Sequence, residues 1–339
     1  MFRHGGSIFY ISNKVGSKFS DIIDLSSNTT EAFWLKKYNI RSLADRLPNE
    51  YPLELEKRIA QMFNLKEENL VVNAGTSQLI KDLCLLFMNR TASIISPVYT
   101  EYEYFSKIFN ISASHILLEE DNNFSFREHD NFESDIVFIC NPNNPTGQLI
   151  EKNRLLEIIG KNEKSLFVID ESYMDFCFNK ESFVGSGFGN VAVLRSFSKL
   201  HGLAGLRVGW LYSANLKLID NLKRLVVPWA VTRIAEVLAI QTLSVDFKKT
   251  IDEVKFLRDW LTLRINDMDD FEIFSSFTNF VLIKSLNKDA VFLKDCLLKH
   301  GVLIRTCEDF VGLNDKFFRI SLKSKHSLEV FLTALESCR

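Results

Sequence analysis

The sequence carries almost no net charge and no long hydrophobic run, and each absence excludes a class of protein. Its 41 lysines and arginines are balanced by 43 aspartates and glutamates, which leaves a formal charge of -2 over 339 residues. Proteins that bind nucleic acid or anionic membranes concentrate basic residues on one surface. The even balance therefore favours small molecules as partners, with neither nucleic acid nor membrane.

No stretch of the chain has the features of a signal peptide or of a membrane span. The start, MFRHGGSIFYISNK, lacks a long apolar run and a small-residue cleavage site, which predicts a cytoplasmic protein. The most apolar stretch, 226–243, contains Pro228, Arg233 and Glu236. Because charged residues are costly inside a bilayer, this stretch is predicted to be a buried or interfacial helix.

The cysteines lack the spacing of a metal site. They form no CxxC pair and have no neighbouring histidine cluster, so we expect reduced thiols that mostly fill the core. The six are Cys84, Cys140, Cys177, Cys296, Cys307 and Cys338.

Short apolar stretches alternate with helical stretches through the middle of the chain. They are 69–75, 92–97, 135–142, 165–172, 190–198 and 207–213. Continuous apolar strands between helices indicate an α/β fold with a mostly parallel sheet that is covered on both faces. The sequence therefore predicts a large sheet-based unit in this part of the chain.

The pattern changes near residue 245 to a long amphipathic helix followed by short strands and helices, which is typical of a smaller α+β domain. No repeat or Pro/Gly/Ser-rich linker marks a boundary. We predict that 1–35 is an N-terminal arm that joins this small domain, that 36–244 is the large domain, and that 245–339 is the rest of the small domain.

Polar residues follow the predicted strands, at the sheet edge where α/β proteins bind ligands. Gly75, Thr76 and Ser77 open a helix, whose free N–H groups suit an anion such as phosphate, although an ordinary Thr/Ser helix cap is the alternative. The turn NPNNPTG holds Asn144 at the end of another strand, although a plain tight turn is the alternative. Asp170 ends the next one, and a buried carboxylate needs a partner, so Asp170 either caps local backbone or faces a cation.

Lys199 follows one of these strands in the stretch SFSKLHGLAGLRVGW (196–210), together with Ser196, Ser198 and Arg207. A single lysine is usually a solvated surface charge. Its neighbours suggest a ligand that is a phosphate-bearing aromatic aldehyde. The lysine amine would bind the aldehyde, Asp170 would hold a protonated ring nitrogen, and the hydroxyls with Arg207 would bind the phosphate.

These motifs resemble the fold type I pyridoxal-phosphate enzymes related to aspartate aminotransferase. YP (51–52), AGTS, PVY, NPNNPTG, DESY and SFSKLHGLAGLRVGW occur in that family's order and cover most of the chain. The resemblance implies a seven-stranded, mostly parallel sheet in the large domain, a smaller α+β domain, and pyridoxal 5'-phosphate as cofactor. It also implies a homodimer, because Tyr51 would reach the phosphate in the second subunit.

The resemblance assigns a role to each residue of the cofactor site. Lys199 would bind the cofactor aldehyde and act as acid and base, Asp170 would pair with the ring nitrogen, and Tyr173 would contact the phenolic oxygen. The cofactor-binding residues that it implies are Tyr51, Gly75, Thr76, Ser77, Tyr99, Asn144, Asp170, Tyr173, Ser196, Ser198, Lys199 and Arg207.

Two terminal regions bear on the substrate. Arg305 and Arg319 are permanent cations near strand ends, suited to a carboxylate or a phosphate, although either could form a surface ion pair instead. At the other end, His4 with Gly5 and Gly6 could form a lid over an anion, or a disordered tail. Asn28 is the last residue of DLSSN (24–28), a stretch that we expect beside the same site.

Within the family these regions are similar to threonine-phosphate decarboxylase of cobalamin biosynthesis, which implies decarboxylation of L-threonine O-3-phosphate to aminopropanol phosphate. The nearest alternative is histidinol-phosphate aminotransferase. After Asn28 the chain reads TTEAFW where both relatives usually have an Asn-Pro step. L-Serine O-phosphate, giving ethanolamine phosphate, is therefore a second candidate substrate. A non-catalytic module on the same fold is a third hypothesis.

Overall fold

The helices and strands of the protein were located in a computed structural model, which describes residues 4–16, 18–35, 40–45, 47–126, 131–177 and 181–339. The helices in these ranges are α1 (Ile8–Val15), α2 (Ile40–Ala44), α3 (Leu53–Phe63), α4 (Thr76–Leu86), α5 (Glu101–Ile108), α6 (Lys152–Lys161), α7 (Leu216–Leu225), α8 (Arg233–Thr242), α9 (Lys248–Asn266), α10 (Ala290–Lys299) and α11 (Lys325–Cys338). The strands are β1 (Ile23–Asp24), β2 (Leu70–Asn73), β3 (Thr91–Ser96), β4 (Ser112–Leu117), β5 (Ile136–Cys140), β6 (Leu166–Asp170), β7 (Val191–Ser196), β8 (Gly209–Ser213), β9 (Phe271–Ile273), β10 (Phe280–Ser285), β11 (Val302–Leu303), β12 (Arg305–Thr306) and β13 (Phe317–Ser321).

Seven strands form one large sheet in the order β2-β8-β7-β6-β5-β3-β4. Neighbouring strands pair in parallel except at β8, which runs antiparallel to both β2 and β7. All six predicted strands lie in this sheet, and the mostly parallel seven-stranded architecture is confirmed. The parallel arrangement brings the carboxyl ends of β5, β6 and β7 to one edge, where polar residues follow each strand.

Helices cover both faces of the sheet, which is why its central strands are apolar without alternation. Along β6, Phe167 and Ile169 pack into one core cluster, whereas Leu166 and Val168 pack into the other. Side chains on a strand point alternately to opposite faces, so burial on both sides requires an apolar residue at each position. Asp170, the last residue of β6, is the one charged residue in this otherwise apolar strand.

The C-terminal part of the chain builds a second, antiparallel sheet in the order β12-β13-β10-β9. The N-terminal strand β1 pairs in parallel with β11, so the beginning of the chain is tied to its C-terminal part. In addition, the Ser321 N–H donates to the Leu25 carbonyl over 2.8 Å. These contacts agree with an arm that joins the small domain, while the boundaries at residues 36 and 245 stay a prediction.

Two of the cysteines are not reduced thiols, so that prediction was wrong for them. Cys296 and Cys338 form a disulfide with their Cα atoms 5.9 Å apart, while the other four are free and buried. The two half-cystines are 42 residues apart in sequence. They meet because α10 packs against α11. The spacing of the cysteines along the sequence does not predict this tertiary contact.

The apolar stretch 226–243 contains α8, which buries Ala235, Leu238 and Ala239 in the protein core. The prediction of a buried or interfacial helix is therefore confirmed for 233–242, whereas 226–232 precede the helix. In the part of the chain that the structure describes, no helix combines the length with the apolarity that crossing a bilayer requires.

Candidate active site

A cavity of about 390 Å³ opens at the carboxyl ends of the central strands, and most of the predicted site residues line it. They are His4, Gly5, Asn28, Thr76, Ser77, Tyr99, Asn144, Asp170, Tyr173, Ser196, Ser198, Lys199, Arg207, Arg305 and Arg319. Gly6, Gly75 and Tyr51 do not line it. Residues from both ends of the chain and from its middle are thus brought to one place.

Lys199 lies three residues beyond the end of β7, and the turn that carries it is tied down by hydrogen bonds. Its carbonyl oxygen accepts from the Thr30 hydroxyl over 2.9 Å and from the Gly202 N–H over 3.1 Å. The side chain is half-buried, with Nζ 5.1 Å from the centre of the Tyr173 ring. The fixed backbone therefore presents a primary amine to the cavity beside an aromatic face.

Asp170 supplies a buried carboxylate to the cavity wall, with only 4% of its surface exposed. Oδ2 accepts from the Tyr102 hydroxyl over 2.7 Å, and Oδ1 accepts from the Ser172 N–H over 3.0 Å. Burial, and secondly the Asp170 charge, raise the pKa of Tyr102 well above its ordinary value, so Tyr102 remains a donor. These hydrogen bonds fix both carboxylate oxygens, and a cation in the cavity would pair with their negative charge.

The start of α4 forms an anion-binding end of the cavity. Gly75 precedes the helix with a φ of 88°, and no side-chain hydrogen bond caps this helix start. The structure therefore does not contain the alternative of an ordinary Thr/Ser cap, and the N–H groups at an uncapped helix start can bind an anion. A Cβ on Gly75 would lie 2.9 Å from Nη2 of Arg207, so glycine lets the guanidinium approach.

Arg207 and neighbouring hydroxyls complete this end. Nη1 of Arg207 donates to Ser198 Oγ over 3.3 Å and to the Ala204 carbonyl over 3.1 Å. The Ser198 N–H in turn donates to Ser196 Oγ over 3.1 Å. A guanidinium, serine hydroxyls and a helix N-terminus together are the donor set that a phosphate group needs.

Arg319, on β13, lies deep in the cavity wall and is only 6% exposed. It donates to Asn144 Oδ1 through Nη1 and to the Ser26 carbonyl over 3.1 Å through Nη2, while its buried Nε has no partner. Burial lowers the pKa of this guanidinium. A buried, incompletely paired cation favours an anionic ligand in the cavity.

Arg305, on β12, has an intramolecular partner, so the alternative of an ion pair is what the structure contains. Its Nη2 donates to both oxygens of Asp309 over 2.9 and 2.7 Å. The side chain still lines the cavity, with its guanidinium carbon 5.1 Å from the centre of the Phe310 ring. An anion that binds the Arg305 guanidinium either displaces the Asp309 carboxylate or binds beside it.

The N-terminal segment forms part of the cavity wall. His4 Nε2 lies 2.7 Å from Glu101 Oε1, and its ring centre lies 5.6 Å from that of Tyr99. The Gly6 N–H donates to Ser26 Oγ over 2.9 Å. These contacts place residues 4–6 against the body of the protein, which disagrees with the alternative of a disordered tail for them.

Asn28 connects the N-terminal segment to Tyr173, which also lines the cavity. Its Nδ2 donates to the Tyr173 hydroxyl over 3.2 Å, and its Oδ1 accepts from Ser321 Oγ over 2.8 Å. The side chain is 4% exposed. Asn28 thereby orients Tyr173, and the segment after it crosses to the Lys199 turn through Thr30.

Comparison with known proteins decides the family. The model of the family described as aminotransferase class I and II matches residues 20–337. The chain belongs to this family. It is 30% identical to the histidinol-phosphate aminotransferase of Methanocaldococcus jannaschii, with 96% of this chain and 91% of that protein covered.

Two further proteins are similar to the chain. The chain is 28% identical to the adenosylcobalamin biosynthesis bifunctional protein CobDQ of Leptospira interrogans; the match covers 99% of the chain but only 41% of that protein. The crystal structure of L-threonine-O-3-phosphate decarboxylase from Porphyromonas gingivalis matches with a TM-score of 0.81 and 24% identity, covering 88% of this chain and 92% of that one. At that identity the match establishes the fold.

Pyridoxal 5'-phosphate is the cofactor of this aminotransferase-family enzyme. The residues fit the group. Gly75 leaves room for Arg207 beside an uncapped helix start, which suits the phosphate, and the buried Asp170 carboxylate suits a protonated ring nitrogen. Lys199 Nζ opens to the same cavity. The assignment of each residue to a part of the cofactor stays a prediction.

Tyr51 does not line the cavity. Its hydroxyl donates to Glu56 Oε1 over 2.5 Å and accepts from the Val72 N–H over 3.2 Å. Burial, and secondly the Glu56 charge, raise the pKa of Tyr51, so the hydroxyl keeps its proton. A contact with the cofactor phosphate of a second subunit stays a prediction.

Three residues that support the site were not predicted: Glu101 and Tyr102 lie outside the motifs, and Gly209 lies in the motif at 196–210 but had no assigned role. Tyr102 lies in the cavity's supporting layer, stacked on Phe138 with ring centres 5.0 Å apart. Glu101 anchors His4, and a Cβ on Gly209 would lie 2.9 Å from the Thr76 N atom. The only signal was position, since Glu101 and Tyr102 closely follow the PVY motif.

Gly5 should be intolerant of a side chain. An alanine Cβ there would lie 1.9 Å from the Ser26 carbonyl oxygen, so the N-terminal wall must move. We expect Gly5→Ala to raise KM for the substrate on the order of 10- to 100-fold, as displacement of positioning groups does, with the absorbance of the bound cofactor unchanged.

Gly160→Ala is the matched control for this variant. No atom lies within 4 Å of a Cβ built on Gly160, so its steady-state kinetics should equal those of the wild type. A wild-type KM in Gly5→Ala would show that residues 4–6 do not contribute to substrate binding.

Proposed function

We propose that this enzyme decarboxylates an O-phosphorylated hydroxy-amino acid, either L-threonine O-3-phosphate or L-serine O-phosphate, in cobalamin biosynthesis. The observation that carries the proposal is the composition of the cavity wall beyond the cofactor residues. His4 and Gly5 stand in it with the cations Arg305 and Arg319. A substrate with a carboxylate and a phosphate offers two anions to this wall.

The cofactor supplies one part of the chemistry: when bound, pyridoxal phosphate draws electrons away from the substrate α-carbon. Asp170 holds the proton on the ring nitrogen through its oriented carboxylate. The Tyr102 hydroxyl and the Ser172 N–H keep that carboxylate in place. Asp170 thereby maintains the positive charge on which this electron withdrawal depends.

The substrate-binding residues determine which α-carbon bond breaks, because they set the orientation of the carboxylate. Arg319 and Arg305, with His4 and Asn28, bind the carboxylate and the phosphate and hold both in the cavity. After CO2 has left, Lys199 Nζ delivers a proton to the α-carbon. The products are CO2 and a phosphorylated amino alcohol.

The second candidate is an aminotransferase that acts on histidinol phosphate or a similar amine. It is favoured by the 30% identity to the Methanocaldococcus jannaschii histidinol-phosphate aminotransferase over 91% of that protein. The same cavity would then bind the phosphate of the amine and, in the second half-reaction, the carboxylates of a keto acid. Lys199 would move the proton between the α-carbon and the cofactor.

The proposed assembly is a homodimer in which Tyr51 contributes to the second subunit's cofactor site. The support for it is that Tyr51 lies outside its own cavity. A small-molecule substrate and a cytoplasmic location complete the proposal.

The test is carried out on cofactor-loaded protein without any keto acid. O-phospho-L-threonine and O-phospho-L-serine are supplied separately, with unphosphorylated L-threonine and L-serine as controls, and CO2 and the amine product are measured. We expect release from at least one phosphorylated substrate, and the ratio of the two rates identifies the preferred one. No release from either, together with amino transfer from histidinol phosphate to 2-oxoglutarate, would establish the aminotransferase instead.

A further inference from the structure

Two cysteines and a histidine lie together at the ends of α10 and α11, outside the active-site cavity. Cys296 and Cys338 are joined as a disulfide. The sulfur atoms and a ring nitrogen of His300 all lie within 4.8 Å of one another. None of the three residues lines the active-site cavity. This cluster therefore has no part in the proposed decarboxylation.

The position of the cluster follows from helix geometry and core packing. Cys296 and His300 are four residues apart at the C-terminal end of α10, so their side chains lie on one face of the helix. Cys338 is the last residue of α11, whose Leu335 is buried in the same core cluster as Leu297 of α10. Buried apolar contacts between α10 and α11 therefore act together with the disulfide to bring the three residues near one another.

Two thiolates and an imidazole are a donor set for a zinc-like cation. Zinc takes sulfur at about 2.3 Å and nitrogen at about 2.0–2.1 Å in a tetrahedral arrangement, which places donor atoms roughly 3.4–3.8 Å apart. Because the two sulfurs are bonded to each other in the structure, they must move apart to reach this spacing once the disulfide is reduced. In the described part of the chain, no side chain hydrogen-bonds to the His300 ring, which leaves its nitrogens available.

An ion can reach the cluster from solvent. His300 is exposed, and a cavity of about 360 Å³ opens beside it, lined also by His326 and Glu329. With three protein ligands, a water molecule from this opening completes a four-coordinate site.

We propose that Cys296, Cys338 and His300 bind one zinc-like divalent cation when the cysteines are reduced, and that the disulfide is the oxidised, metal-free form of the same site. A dithiol reductant gives two electrons and two protons to the disulfide. The Cys296–Cys338 disulfide becomes two thiols, and the reductant is itself oxidised to a cyclic disulfide. Zn²⁺ then binds both sulfurs as thiolates and the neutral His300 ring, and two protons are released to solvent.

The test uses the cofactor-loaded protein in two redox states. One sample is reduced with a dithiol and freed of it without oxygen, the other is kept oxidised, and both are titrated with Co²⁺. We expect the reduced protein to take up one equivalent and to show the visible absorption of tetrahedral, thiolate-bound cobalt, which Zn²⁺ then displaces. The oxidised protein should show neither. Equal uptake in both states would overturn the proposal, since the sulfurs would not be ligands.

Variants assign the ligands. Loss of a residue that only supports a metal ligand lowers metal affinity roughly 10- to 100-fold. In the reduced state, Cys296→Ser and His300→Ala should each lower the affinity for Co²⁺ by at least this factor. His326→Ala, which lines the same opening, is the matched control and should bind as the wild type does. Because His300 is exposed, its replacement leaves the core intact. Wild-type affinity in His300→Ala, or an equal loss in His326→Ala, would refute the three-ligand site.

Discussion

Lys199→Ala is expected to lose between about 10²- and 10⁴-fold in turnover, the contribution of a positioned proton donor and acceptor. Lys199 Nζ opens to the cavity that holds Asp170, and its backbone is fixed by Thr30 and Gly202. No other lysine lines this cavity, among the residues that the structure describes. Nothing in that cavity therefore replaces the missing amine.

A second readout separates attachment of the cofactor from turnover. Borohydride reduction should add the mass of the cofactor to the wild type but not to Lys199→Ala. Lys152→Ala is the control, because Lys152 is also half-buried and also lies over an aromatic ring, with Nζ 5.5 Å from the centre of Phe183. It should retain both the mass increase and the turnover. Near wild-type turnover in Lys199→Ala would refute the assignment of the catalytic lysine.

The sequence was most informative where chemistry and secondary structure are local. The motifs around Asn144, Asp170 and Lys199 each follow an apolar strand, and the edge of a parallel sheet brings such positions together. The large sheet was therefore predictable, together with the residues that meet at its edge. The edge strand β4 was missed because its residues are half-buried or exposed, so it shows no continuous apolar run.

What the sequence could not predict are contacts between segments distant along the chain. Tyr102 supports Asp170 from 68 residues away, and Glu101 anchors His4 from 97 residues away. The disulfide of Cys296 and Cys338 depends on two helices that pack only in the folded chain. Side-chain type and spacing report none of these, because each is determined by tertiary packing.

A buried charge network beneath the site belongs to the same class of contacts. Arg195, on β7, is 4% exposed and donates to Glu171 Oε2 over 3.0 Å and to Asp175 Oδ1 over 2.5 Å. Burial alone would lower the pKa of Arg195, but the carboxylates of Asp175 and Glu171 outweigh it and raise that pKa. Glu171 is fully buried, and burial raises its pKa, which the Arg195 charge partly opposes. The network thus links the ends of β6 and β7, which carry Asp170 and lead to Lys199.

Arg195→Met should destabilise the folded protein by about 3–5 kcal/mol near neutral pH, because it leaves the Glu171 carboxylate buried without its cation. The pKa of Glu171 is already raised in the folded state and rises further without Arg195. A raised folded pKa stabilises the protein below the unfolded pKa, and that contribution is lost as the pH rises through the folded value. The deficit of the variant should therefore be largest at neutral pH and shrink in acid.

Urea unfolding at several pH values measures this deficit against the wild type, with two further variants as controls. Arg58→Met removes an exposed ion pair with Glu54 on α3 and should cost less than about 1 kcal/mol at each pH. Adding Glu171→Gln to Arg195→Met removes the uncompensated charge, so the double variant should recover part of the lost stability and lose the pH dependence. A deficit in Arg195→Met that stays constant with pH would mean that lost packing, and not the buried Glu171 charge, accounts for the destabilisation.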